Sequence, residues 1–510
     1  MTEPLDDRLA SLTSWHDDWS GLRVAVLGLG VTGFSVADTL VELGSSVLVV
    51  ASTADDDRAR LLEVIGAGLL RHPLDVVPEG LRGFDPQLVI VSPGFHPDHP
   101  VLEWAAASGI AVWGDIELAW RLRDKVGTPA EWLCVTGTNG KTTTVQLAAT
   151  MLVAGGLRAA PCGNIGVPVL DAIRDPQGFD VLVVELSSYQ LHWVNRNAGG
   201  ELVPYSSVCL NIADDHLDWH GSAEAYREAK GRVYQNTRAA CVYNKADAVT
   251  EELVREADVI EGARAIGFGL GVPGPSDLGI VDGIVVDRAF HEERFTSALE
   301  ITTVEELAEL GLAAPHVLAN ILAASALVRS MGVPPAVIKA ALEGFRLDAH
   351  RIERVALVRD VLWIDDSKAT NPHAADASLR AFPSVVWIAG GLLKGVEVDD
   401  LVRGHAEHLR GVVLIGADRD ALREAFRRHA PDVPLYEVDA PETREVMPSA
   451  VRLAAELAEP GDVVLLAPAA ASMDQFRDYA DRGRSYAQAV REFLGGEADD
   501  ESASQRTDGE

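Results

Sequence analysis

The stretch VTGTNGKTTTVQLAAT, residues 135–150, sets two glycines, a lysine and a run of threonines between an apolar segment and a helical pattern. Gly137 and Gly140 let the backbone come close to an anion, and Thr138 and Asn139 add N–H groups between them. Lys141 supplies a point charge toward terminal phosphates, Thr142 a hydroxyl suited to Mg²⁺, and Thr143 extends the helix start, whose positive end faces the same place. The common phosphate-loop spacing G-x-x-x-x-G-K-[ST] asks for glycine at 135, where this chain has Val135. The competing reading is an ordinary strand-to-helix turn with an exposed lysine. The strand, loop and helix context favours phosphate.

Other strand ends carry chemistry of the same kind. Glu185 follows the apolar run Val181–Val184 in DVLVVELSSYQL. A carboxylate there either holds Mg²⁺ or is a loop glutamate in water, and spacing leaves both open. In NIADDHLDWHGSAEAYREAKGRVY, His216 stands among acids and Lys230 on the next helical pattern. By residue type alone they read as a surface or capping histidine and a solvated lysine. WIDDSKATNP, AGGLLKG and APAAASMDQF place Lys368, Thr370, Lys394 and Ser472 just after apolar runs, and the expectation, against that of solvent-facing lysines, is that they converge on a small anionic substrate. GLGVTG (Gly28, Gly30, Gly33) matches a dinucleotide fingerprint, but Ala51, Ser52 and Thr53 occupy the place of its ribose-binding acid.

These residues need elements to hold them. The chain alternates strand-like and helix-like runs in three blocks over 510 residues, too long for one core. The expected class is α/β in three domains: N-terminal Rossmann-like, a central P-loop-type ATPase sheet, and C-terminal Rossmann-like. Expected bounds are a flexible head at 1–20, then 21–123, 124–347 and 348–495, with a disordered acidic tail at 496–510. Residues 260–300 read as turns and short strands at a sheet edge, and 303–344 as helical. The formal charge, 44 − 77 = −33, argues against nucleic acid or an anionic membrane as partner. No apolar run reaches the roughly 18 residues of a membrane span. Cys134, Cys162, Cys209 and Cys241 form no CxxC pair, and the acidic N-terminus does not read as a signal peptide; both suit a reducing cytoplasmic setting.

Together, TGTNGKTT, CGNIG, YREAK, HVLAN, DSKATN and SMDQF make the chain resemble the Mur ligase family over about residues 20 to 495. The resemblance implies an ATP-dependent, Mg²⁺-requiring amide ligase that works through an acyl phosphate. Its substrates would be UDP-N-acetylmuramoyl-L-alanine and D-glutamate, the latter favoured by DSKATN with SMDQF. It implies that Lys141 and Thr142 bind ATP phosphates and Mg²⁺, that Glu185 and His216 ligate magnesium, and that Lys230 becomes a carbamate ligand. Val31, Thr32, Ser92, Gly94, Asn164 and His216 would meet the UDP substrate. Asn320, Arg351 and Asp366 would meet ATP, and Lys368, Thr370, Lys394, Ser472 and Tyr479 would line the ATP and D-glutamate sites. Val317 stands where the family often has asparagine, and Tyr479 where phenylalanine is common. The expected state is a monomer whose third domain closes over the acyl phosphate. The alternatives are a sibling ligase or folylpolyglutamate-type synthetase with another amino acid, a nicotinamide dehydrogenase using GLGVTG, and a non-catalytic nucleotide sensor.

Overall fold

Short apolar runs that bury every residue, such as Leu88–Val91 and Val181–Val184, suit strands covered on both faces by helices. The computed structural model describes residues 5–440 and 442–507, and the side chains of 7–440 and 442–495. The described strands form three sheets.

The first sheet has β1 (Arg23–Leu27), β2 (Ser46–Ala51), β3 (Gly68–Arg71), β4 (Leu88–Val91) and β5 (Ala111–Gly114), in the order β3-β2-β1-β4-β5. All its pairings are parallel, the doubly wound pattern expected.

The second sheet contains β6 (Glu131–Thr136), β7 (Ala159–Gly163), β8 (Val181–Glu185), β9 (Ser206–Cys209), β10 (Ala240–Asn244), β11 (Arg264–Phe268), β12 (Asp277–Val281), β13 (Ile284–Asp287) and β14 (Leu299–Thr303). Its order is β14-β13-β12-β11-β10-β9-β6-β8-β7. Strand β6 lies between β8 and β9, so the chain reverses direction across the sheet there. That crevice is where ligands bind in open α/β sheets. The irregular stretch near 260–300 forms β11 to β14 at one edge, antiparallel from β12 to β14. Helices Val304–Glu309, Pro315–Ser330 and Pro335–Gly344 follow, as the sequence leads one to expect.

The third sheet has β15 (Glu353–Val358), β16 (Val361–Asp365), β17 (Val385–Gly390), β18 (Leu409–Ile415), β19 (Leu435–Glu437) and β20 (Val463–Leu466), ordered β15-β16-β20-β17-β18-β19. It is parallel apart from β15.

The chain divides into two compact units. The first takes residues up to Ile212, Glu224–Ala313 and Val317–Phe345, and so holds the first two sheets. The second takes Ala213–Ala223, Ala314–His316 and the residues from Arg346 on. No helix of the described residues is long and apolar enough to cross a membrane. The helix Tyr479–Thr507 runs into the segment expected to be a disordered tail. The side chains from 496 and residues 508–510 lie outside the described residues.

Within the segment expected to be a flexible head, the part whose side chains are described, from residue 7 on, is packed. Leu9, in the helix Leu5–Ser11, and Leu12 just after it are buried with Trp19, whose ring meets Trp113 edge-on at 6.3 Å. Arg121 fastens this segment. Its guanidinium pairs with Glu117 at 2.8 Å and donates to the carbonyl oxygens of Leu9 (3.2 Å), Leu12 (2.9 Å) and Ala198 (2.8 Å). Both side chains of the ion pair are 0% exposed. Replacing Arg121 by leucine leaves three carbonyls without this donor and Glu117 without its cation, with, among the described residues, only Asn197 still donating to it, so Arg121→Leu lowers unfolding free energy by about 3–5 kcal/mol. A denaturant midpoint unchanged from wild type would show that the head does not depend on this anchor.

Candidate functional site

The loop after β6 has glycine where the backbone demands it. Gly137 (φ +148°) and Gly140 (φ +84°) occupy conformations that side chains rarely adopt. A Cβ on Gly137 would lie 2.9 Å from Leu210 Cβ, and one on Gly140 2.4 Å from Asn320 Oδ1. Asn320, expected at the nucleotide, is thus packed directly against the loop. The helix Lys141–Ala154 starts here with Thr142 and Thr143 buried and no side-chain cap, so its positive end faces the loop. Lys141 Nζ donates to the carbonyls of Gly137 and Thr138, both at 2.8 Å.

Neighbouring elements clamp this loop. Asn211, just past β9, accepts from Asn139 N (2.8 Å), donates to Asn139 O (3.2 Å), and takes Thr138 N on its own carbonyl (2.9 Å). Tyr226 Oη meets Thr138 Oγ1 at 2.9 Å. Lys230, only 2% exposed, donates to Gly137 O at 2.8 Å and lies 3.4 Å from Thr136 Oγ1. Far from being a solvated helix lysine, Lys230 is part of the loop's support.

Glu185 closes the other side of the crevice, at the end of β8 beside β6. It is 2% exposed. Asn164 Nδ2 donates to its Oε1 at 3.1 Å, while Oε2 is buried with no hydrogen-bond partner among the described residues. Burying half a carboxylate unpartnered costs about 1–3 kcal/mol or more, a cost that a hard cation repays. The donor set therefore fits Mg²⁺.

On the first sheet, Val31 and Thr32 begin the helix Val31–Glu42 after β1, and Ser92 and Gly94 follow β4, the adjacent strand. Ser92 N donates to Leu27 O at 3.1 Å, and a Cβ on Gly28 would sit 2.9 Å from Ser92 Oγ. These four residues therefore share one sheet edge. Asn164 is placed at Glu185. Asp55, the first acid after β2, accepts from Asp57 N and Arg58 N as a helix cap, which weakens the nicotinamide reading.

In the second unit, loops after β16, β17 and β20 come together. Leu392 and Ala471 exchange two backbone bonds of 2.9 Å, tying the Lys394 loop to the Ser472 loop. Lys394 itself has φ +54°. Lys368 Nζ lies 5.0 Å from the centre of the Tyr479 ring, and Thr370 N donates to Lys368 O. Arg482, 1% exposed, donates to Ser367 Oγ (3.0 Å), Ser367 O (2.9 Å) and Ala470 O (3.0 Å), locking two of these loops.

Asp366 is buried. Burial pushes its carboxyl up to about 6, against a hydrogen bond from Ser378 and the nearby charge of Arg351. A raised carboxyl keeps its proton in the folded state after the unfolded chain has lost it. Stability from this group is full below pH 3.8 and is lost as pH rises toward about 6. Asp366→Asn removes that slope, worth about 3 kcal/mol. Unfolding curves measured across this window in both proteins check it, and parallel curves would reject it.

Comparison with known proteins bears on this arrangement. Three family profiles match in order: "Mur ligase MurD-like, N-terminal domain" at 22–114, "Mur ligase middle domain" at 135–328 and "Mur ligase, glutamate ligase domain" at 350–470. The UDP-N-acetylmuramoylalanine--D-glutamate ligase of Leifsonia xyli subsp. xyli is 70% identical over 508 residues, 98% of each chain. The chain belongs to the Mur ligase family. The protein of the same name from Streptomyces avermitilis is 54% identical, covering 93% of this chain and 99% of its own. The crystal structure of UDP-N-acetylmuramate-alanine ligase from Thermotoga maritima has a TM-score of 0.55 at 18% identity, covering 93% of this chain and 100% of that one. It shows the shared fold.

Within this Mur ligase, His216 falls in the second unit, in a left-handed conformation (φ +54°), its N–H donating to Asp215 Oδ1 at 3.0 Å. Arg351 belongs to the same unit, near enough to His316 to help burial depress that imidazole to about 4. Val317, the departure from the family pattern, is buried apolar surface. Asn211, Tyr226 and Arg482 are absent from the residues singled out by sequence. Tyr226 alone carried a signal, as the first residue of YREAK.

Proposed function

We propose that the chain joins D-glutamate to UDP-N-acetylmuramoyl-L-alanine at the expense of ATP, a step of peptidoglycan precursor synthesis. The supporting observation is its near full-length likeness, 70% identical, to a ligase of that name. The phosphate loop supplies the chemistry that such a ligase requires.

In this reading the backbone from Gly137 to Thr143 and Lys141 hold the terminal phosphates of ATP, with Asn320, Arg351 and Asp366 at the rest of the nucleotide. Val31, Thr32, Ser92, Gly94 and Asn164 hold the UDP substrate. Its carboxylate attacks the γ-phosphorus, ADP leaves, and an acyl phosphate forms. Lys368, Thr370, Lys394, Ser472 and Tyr479 orient D-glutamate, whose neutral amine attacks the acyl carbon. The tetrahedral state collapses with release of phosphate, and the nitrogen gives up its proton. Lys141 and the helix start neutralise charge that builds as two anions meet. Bound Mg²⁺ would supply further neutralisation, held by Thr142, Glu185 and Lys230 as its carbamate. His216 keeps the ligand role that the resemblance implies. Carbamylation adds CO₂ to the neutral Lys230 amine with loss of a proton, turning a donor into an oxygen ligand. The proposal includes a cytoplasmic monomer.

Phosphate release from ATP tests the reading. It is expected to require both UDP-N-acetylmuramoyl-L-alanine and D-glutamate. Equal release with L-lysine, diaminopimelate or L-glutamate would favour a sibling or folylpolyglutamate-type activity. ATP binding with no release under any amine would favour a sensor.

A further inference from the structure

A cavity of ≈ 540 Å³ opens where β6 begins, lined by Thr13, Trp120, Arg123, Glu131, Glu201 and Arg238 among others. Strand β6 is six residues long, so this cavity lies about 20 Å from the phosphate loop at the strand's other end. Much of its wall falls outside the family matches. Thr13 precedes them, and Trp120 to Glu131 lie between the stretches 22–114 and 135–328.

The wall is built rather than incidental. Arg121 ties the carbonyls of Leu9, Leu12 and Ala198 together, and a Cβ on Gly199 would meet Ala10 O at 2.5 Å. The head and the segment around Gly199 are therefore fixed against each other.

Arg123 is the exceptional group. Its guanidinium stacks on Trp120, 3.8 Å from the ring centre, and donates to Trp120 O. Burial holds it below the usual arginine range. The acids nearest in charge are engaged elsewhere: Asp124 accepts from Ser14 Oγ and Trp15 N, and Glu131 pairs with Arg238. Among the described residues no carboxylate forms an ion pair with Arg123, in a chain with 77 acids against 44 basic residues. A stacked, partly desolvated guanidinium with spare N–H donors binds carboxylates in paired hydrogen bonds.

We propose that this cavity binds a small organic carboxylate, its charged end on Arg123 and its apolar body along Trp120, Pro129 and Val203. The site is separate from the ligase chemistry, and its test reads binding.

Benzoate is the probe, followed by saturation-transfer NMR and calorimetry on the full chain. One such ion pair with apolar contact gives a dissociation constant on the order of 1 mM. Binding is expected to persist with saturating ATP, to weaken roughly tenfold in Arg123→Gln, and to be intermediate in Arg123→Lys. Benzamide, neutral and of the same shape, is expected to bind far more weakly than benzoate. Arg123→Gln is expected to retain wild-type ATP-dependent phosphate release and melting, the control that it folds. Displacement by ATP, equal binding to Arg123→Gln, equal binding of benzamide, or no saturable binding would each overturn the assignment.

Discussion

Lys141→Ala lowers turnover on the order of 10³-fold at saturating substrates, the cost of removing a preorganised charge from a phosphoryl-transfer site. The ammonium rests 2.8 Å from the carbonyls of Gly137 and Thr138, poised inside the bend of the loop. Those carbonyls are backbone groups that water can satisfy after truncation. Stability should therefore fall by only about 1 kcal/mol, and the loss is catalytic. Lys141→Arg keeps the charge but replaces a compact ammonium by a planar fork, and recovers only part of the rate. Steady-state phosphate release with a matched melting curve separates the two effects. Turnover within a few-fold of wild type in the alanine variant would remove the loop from the chemistry.

Glu185→Gln gives the second large effect, with opposite signs in activity and stability. The amide keeps the shape and can still meet Asn164, yet it cannot supply a charged oxygen to a divalent cation. Turnover falls about 10²–10³-fold, and the Mg²⁺ concentration for half-maximal rate rises. Meanwhile Oε2, buried without a partner among the described residues, no longer carries charge into a desolvated place. The metal-free variant should therefore be as stable as the wild type or more so, by about 1–2 kcal/mol. A variant that loses both activity and stability would make Glu185 a structural residue. Full activity at ordinary Mg²⁺ would contradict its role as ligand.

The contrast between these two residues and their supports shows what a linear sequence carries. Lys141 stands out because loop, charge and helix start are contiguous, whereas the unbroken apolar run before Glu185 marks a strand end and leaves the role of its carboxylate open. Asn211 is 72 residues from Asn139, and its role exists only because β9 pairs with β6. Pairing across a parallel sheet is set by topology rather than by local pattern. Arg482 is similarly hidden. It sits in a helix of ordinary polar appearance, and only the approach of the β16 and β20 loops gives it Ser367 and Ala470 as acceptors. Lys230 reads as solvated by spacing, whereas the fold turns it inward under Gly137. The head misleads for another reason: its many acids mask Leu9, Leu12 and Trp19, which are enough to anchor a short helix once Arg121 satisfies its carbonyls. The three-sheet plan follows more directly, because apolar runs alternating with helical segments admit few arrangements.

The central claim is that the phosphate loop activates a carboxylate by phosphorylation, and isotope transfer tests it most directly. UDP-N-acetylmuramoyl-L-alanine is prepared with heavy oxygen in its terminal carboxylate, and the enzyme is run with ATP, Mg²⁺ and D-glutamate. An acyl phosphate must carry one labelled oxygen out with the phosphate, so the account predicts one heavy oxygen in each inorganic phosphate released. Unlabelled phosphate accompanied by amide product would contradict it.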